Sequence, residues 1–154
     1  MKKILAIAVL ALGISFAAAA QPRAIGARFT YGVEASYQHE VEGADFVEAT
    51  LGLFTYNRMN IAATYNFMIA QPAWTARGEW GFYAGPGAAI STSFNDFAFA
   101  VAGQIGLEYT FWFPLQLSID LRPQIGVWAG HHHAEFYNGG LYGFCPSLSV
   151  RYRF

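Results

Sequence analysis

Across most of this chain, neighbouring residues fall alternately on two unlike faces, and the apolar one carries no charge. Ile25, Ala27, Phe29, Tyr31, Val33, Ala35 and Tyr37 alternate with Gly26, Arg28, Thr30, Gly32, Glu34, Ser36 and Gln38. The same period of two recurs over Val47–Leu53, Met59–Phe67, Trp80–Ile90, Phe97–Tyr109, Leu115–Arg122 and Leu148–Phe154. A period of two is the signature of strands whose two faces meet different surroundings. It excludes a helical bundle and predicts an all-β chain with no helix after residue 20.

The number of strands follows from how the runs are joined. Turn-forming residues separate them at His39–Ala44, Tyr56–Arg58, Gln71–Gly78, Ser93–Asp96, Phe111–Pro114 and Gly130–Gly140. Seven runs conflict with the even strand number of single-chain bacterial membrane barrels. Splitting the first run into 24–30 and 33–40 restores parity, with a tight turn near Tyr31–Gly32 in which Gly32 supplies a positive φ. One long strand in an open or oligomeric sheet is the alternative. Counted back from the C-terminus, Gly130–Gly140 becomes an external loop and 39–44 a periplasmic turn. Pro86, Pro123 and Pro146 fall within runs, where a missing N–H marks a bulge or a strand end.

Alternation alone also fits a soluble barrel with its greasy face inward, and composition separates the two. Charged residues are only 12% of the chain and aromatics 18%, against about 25% charged in soluble domains. The polar face holds glycine, alanine, serine, threonine and glutamine with few charges, which suits a narrow lumen packed with side chains. Aromatics gather near strand ends at Trp74, Trp80, Phe94, Phe97, Tyr109–Phe113, Tyr152 and Phe154, as in interfacial girdles. These features predict a transmembrane, eight-stranded, antiparallel up-and-down β-barrel with its apolar face toward lipid.

The N-terminus agrees with export. Lys2 and Lys3 precede an apolar run from Ile4 to Phe16, and Ala18–Ala20 form an A-x-A cleavage site. Residues 1–20 therefore read as a signal peptide and 21–154 as the barrel. Beyond residue 20, seven arginines face ten acids and no lysine remains, so the basic footprint of a nucleic-acid binder is missing. The single cysteine, Cys145, can form neither an intramolecular disulfide nor a thiolate zinc site alone.

Three groups of residues could carry chemistry. Arg28, Glu34, Glu48, Glu79, Glu108, Asp120, Arg122, Arg151 and Arg153 share the inward parity. They read either as a gated polar path or ligand site, or as a stabilising plug, which eight strands favour. His131, His132, His133 and Glu135 have metal-binding chemistry. Consecutive strand residues cannot converge on one ion, however, so no metal or cofactor is expected. A lipid A-modifying enzyme would need a serine beside a histidine base; His133, Glu135, Ser147 and Ser149 are the material for it, without the His-x-Ser-Asn pattern of known deacylases. No catalysis is expected.

The segments YGVEASYQHE (31–40), WGFYAGPGAAI (80–90), VAGQIGLEY (101–109), PLQLSIDLRP (114–123) and the terminal RYRF (151–154) resemble the small outer-membrane β-barrel proteins of Bacteroidota. The architecture is similar to OmpA/OmpX-type eight-stranded barrels. The resemblance covers most of the chain after residue 20 and implies a monomer in a Gram-negative outer membrane, and no activity. Leu148, Val150, Tyr152 and the final Phe154 resemble the signal read by the barrel assembly machinery, an expected partner during biogenesis besides outer-membrane lipid. The facing assignment predicts that Leu117→Arg impairs membrane assembly far more than Ser118→Arg.

Overall fold

In a computed structural model the protein is all-β, and the described residues are 22–54, 58–92, 97–129, 134–137 and 145–154. Ten strand segments run in chain order: β1 (Pro22–Phe29), β2 (Gly32–Glu42), β3 (Asp45–Phe54), β4 (Arg58–Ala70), β5 (Glu79–Thr92), β6 (Phe97–Thr110), β7 (Leu115–Leu121), β8 (Gln124–Ala129), β9 (Ala134–Tyr137) and β10 (Ser147–Arg153). They make eight staves. β7 and β8 both pair with β6 in one unbroken register, from Thr110↔Gln116 to Phe97↔Ala129. The seventh stave is thus a single strand interrupted at Arg122–Pro123. β9 pairs with β8, and β10 with β7, so these two segments share the eighth stave.

Every pairing is antiparallel, and β1 closes the circle by pairing with both β2 and β10. Closure removes the unpaired edges that an open sheet would expose. The first periodic run is two strands, β1 and β2, joined through Thr30 and Tyr31. Gly32 opens β2 and is not in the left-handed region; the described glycines with positive φ are Gly43 (61°) and Gly78 (76°). The expected role of Gly32 is therefore corrected: the Thr30 N–H donates to the Gly32 carbonyl at 3.0 Å and tightens the turn without a positive φ at Gly32. Gly43, between Glu42 and Asp45, does need its glycine, because β2 and β3 reverse over two residues there.

The prolines act in three ways. Pro146 lies just before β10, at a strand end. Pro123 breaks β7 from β8 without shifting register, and its carbonyl still accepts the Gly103 N–H at 3.0 Å. Pro86 sits inside β5 opposite Gly103, with the β4 ladder in the same register on either side. The missing donors shorten ladders rather than bend strands. A further correction concerns Gly130–Gly140, expected to be all loop: Ala134–Tyr137 within it is strand. Residues 1–21 and His131–His133 lie outside the described residues, so the signal-peptide and histidine readings do too.

Buried and exposed chemistry are inverted relative to a soluble domain. Among the described residues 22 buried ones are polar or charged and eight are hydrophobic, six of those alanine. Ile25, Val33, Leu51, Ile61, Phe99, Val101, Ile119, Ile125 and Leu148 all point outward and exposed. The strand alternation thus separates an apolar outer wall from a polar interior.

The reversal at Gly43 generates a test. Gly43→Val should destabilise the barrel by roughly 1–2 kcal/mol through its left-handed backbone, read from the denaturant midpoint. Gly32→Val should cost less, because Gly32 starts a strand.

Candidate functional site

The interior of the barrel is the most structured polar site, and four guanidinium groups organise it. Arg28 on β1 donates to Asp120 on β7 through Nε (3.1 Å) and Nη2 (2.6 Å), and to Glu34 on β2 through Nη1 (2.8 Å). Arg122, at the break in the seventh stave, crosses the lumen to both carboxylate oxygens of Glu34 (2.8 and 2.9 Å) and to Thr50 Oγ1 (2.8 Å). Arg151 on β10 reaches Glu48 at 2.5 Å, Ser36 at 2.8 Å, Ser118 at 2.7 Å and Ser149 at 3.1 Å. Three staves besides its own are tied by that one side chain.

Arg23 supplies the fourth guanidinium. It pairs with Glu108 on β6 and donates to Gln38 at 3.3 Å. Its guanidinium also lies 4.0 Å from the centre of the Phe46 ring, which meets Tyr83 edge-on at 5.1 Å. Burial strengthens such a cation–ring contact, to about 2 kcal/mol where water is excluded. Arg23, Phe46 and Tyr83, all buried, thus stack across the lumen inside the rim formed by the start of β1 and the end of β10.

Neutral side chains complete the coverage of the charges. Gln104 donates to Glu48 (3.0 Å) and accepts from Thr64 (2.5 Å), while Gln116 donates to Glu108 (3.0 Å). Glycines make room for them: a Cβ on Gly52 would fall 2.7 Å from the Glu34 side chain, and one on Gly106 would fall 2.5 Å from the Tyr83 ring. Four buried arginines (23, 28, 122, 151) therefore meet four buried acids (34, 48, 108, 120), and these formal charges cancel.

Of the nine residues with inward parity, the structure brings seven together in the lumen. Glu79 and Arg153 stand instead at the rim, 3.9 Å apart, with their side chains 71% and 28% exposed. Arg153 donates to Thr110 there at 3.1 Å. Both sit at strand ends, beyond the packed section. Arg23 was missed by parity because β1 is bulged between Pro22 and Ala24. The extra residue turns inward beside Ala24, and both are buried.

Ser147 and Ser149, the serines considered for an acyl-transfer reading, are fully buried in the lumen, Ser149 against Arg151. The side chain of Glu135 lies outside the described residues, and among the described residues no group of three potential metal ligands assembles. Ser118 touches Arg151, so an arginine at 118 would add a like charge to a packed interior. Ser118→Arg therefore carries a cost of its own beside that of Leu117→Arg.

Leu148, Val150, Tyr152 and Phe154 form an exposed apolar row on the outer wall of the last stave. Nearby, rings link Trp74 to Trp80 (5.4 Å), Trp80 to Tyr109 (4.7 Å), Tyr109 to Phe111 (4.6 Å) and Phe111 to Phe113 (4.9 Å). The Tyr109 hydroxyl fixes the 71–78 turn by donating to the Arg77 carbonyl at 2.9 Å.

Fold and interior together define a closed, eight-stranded antiparallel β-barrel with a charge-balanced, side-chain-filled lumen and an apolar exterior. No protein-family model, curated protein or solved structure matches the chain.

The network predicts strong coupling between partners. Arg151→Met should destabilise the folded barrel by about 3–5 kcal/mol, because Glu48 is left buried without its cation. Adding Glu48→Gln to Arg151→Met should recover part of that loss. Urea titrations of the single and double variants measure the coupling, and additive losses would contradict it.

Proposed function

We propose that this chain is an integral outer-membrane β-barrel of a Gram-negative bacterium, with a structural or surface-interaction role and no catalytic one. The observation that carries the proposal is the inversion of burial: charges inside, large apolar side chains outside. In water each outward Ile, Leu, Val or Phe would forgo roughly 1.5–3 kcal/mol of burial, and they line nearly every stave. In a bilayer the same wall is at its preferred solvent, and closure satisfies the strand backbones where no water can. The staves of 10 to 14 residues, such as β3 to β6, meet the roughly 9–11 that a tilted transmembrane strand requires.

Export through residues 1–20 and recognition of Leu148, Val150, Tyr152 and Phe154 by the barrel assembly machinery belong to this reading. So do a monomeric state and membership of the small Bacteroidota barrels, which rests on the sequence segments quoted above. The narrow-pore reading is disfavoured because the cross-lumen pairs of Arg28, Arg122 and Arg151 occupy the axis.

The purified mature chain should require detergent or lipid to stay monodisperse, and in planar bilayers it should give no stable conductance steps. Ile119→Arg should lower the yield of membrane-inserted barrel, at a cost of up to about 2–4 kcal/mol near the midplane, whereas Ile119→Leu should not. A mature chain that is monodisperse in water without detergent would remove the membrane assignment.

A further inference from the structure

The rim formed by the start of β1 and the end of β10 has a groove of about 520 Å³ between the 111–114 turn and the last residues of β10. Its walls are aromatic, formed by Trp112, Phe113 and Phe154, all exposed. Its polar part contains one charged side chain of each sign, Arg153 and Glu79. These two stand 3.9 Å apart, beyond hydrogen-bond length, and Glu79 is 71% exposed. Among the described residues the Arg153 guanidinium donates one hydrogen bond, to Thr110. Neither charge is fully used by the other, and both border the apolar walls.

We infer that this groove binds the headgroup of a zwitterionic phospholipid bearing a primary ammonium, of the phosphatidylethanolamine type. The inference rests on the membrane reading above and adds a ligand to it. Charge complementarity selects the occupant. A purely anionic headgroup would be drawn to Arg153 and repelled by Glu79, and a purely cationic group would meet the reverse. A phosphate ester joined to a short ammonium arm satisfies both. The phosphate takes the guanidinium N–H groups, and the ammonium donates to the Glu79 carboxylate. The glycerol and upper acyl segments then lie against Trp112, Phe113 and Phe154, the amphipathic surroundings in which aromatic rings settle at a bilayer interface. A trimethylated ammonium has no N–H to donate, so phosphatidylcholine fills the same space without the Glu79 bond.

The test uses the purified mature barrel in detergent, offered equimolar phosphatidylethanolamine, phosphatidylcholine and phosphatidylglycerol, with bound lipid counted by native mass spectrometry. Phosphatidylethanolamine should be retained about two- to five-fold over phosphatidylcholine, the factor expected of one exposed charge pair. Glu79→Gln should abolish that preference. Glu42→Gln, which removes an exposed acid on the β2–β3 hairpin outside the groove, should leave it intact. Equal retention, a preference for phosphatidylglycerol, or a preference that survives Glu79→Gln overturns the inference. These outcomes in a barrel that inserts into bilayers leave the membrane reading standing; a chain that needs no detergent removes both.

Discussion

A guanidinium cannot be left uncompensated inside a protein, and four of them lie inside this barrel. Moving an ion out of water costs several kcal/mol even after relaxation, and the loss is offset only when geometry supplies partners on every side. Arg151 meets that condition with one carboxylate and three hydroxyls contributed by β2, β3, β7 and its own strand. Because each partner sits on a different stave, the pairs form only when the wall has closed at the right radius and stagger. The interior therefore reports on closure, and an alternative strand count would leave several charges stranded. Specificity for one register follows from the polar core, while the outer wall supplies general affinity for an apolar solvent.

The two sides of the wall were legible in the sequence because alternation is local: Glu34 is inward wherever its strand pairs, provided that Val33 and Ala35 are outward. Pairing partners were not legible. That Arg28 takes Asp120, 92 positions away, depends on how far the sheet is sheared when it closes, and no local pattern encodes shear. The same ignorance misplaced Glu79 and Arg153, whose parity is inward but whose height puts them past the packed section. Arg23 failed differently, since one bulged residue reverses parity at the start of β1. β9 was hidden by the glycines, histidines and asparagine around it, which read as loop although Ala134–Tyr137 continues a stave. Tyr83 has the inward parity of Gly81, but its edge-on contact with Phe46 across the lumen was not legible, because that meeting also depends on shear.

Small residues mediate between these demands. Gly52 and Gly106 stand where a Cβ would collide with Glu34 or Tyr83, so the network's large side chains lie against bare backbone. Farther along the lumen Ala62, Ala89 and Ala100 form a small apolar cluster. The lumen thus changes character along its length, from a plate of Arg23, Phe46 and Tyr83, through the paired charges, to a methyl-lined section. Pro86 and Pro123 fall on outward positions flanking Gly103, where a lost ladder bond disturbs no inward contact.

An interior consumed in this way limits where biological work can take place. A ligand entering the axis would have to displace cross-lumen pairs such as Arg122 with Glu34, leaving buried charges uncompensated for as long as it stayed. Such a site would open only at a cost comparable to much of the stability of a small domain. Interaction therefore shifts to surfaces that the network does not use: the outer wall, the strand-joining segments and the two rims. The rims differ from the wall because charges there retain water and remain free to exchange partners. Glu79 and Arg153, excluded from the packed section by their height on β5 and β10, are the charged residues of the inward set left with that freedom.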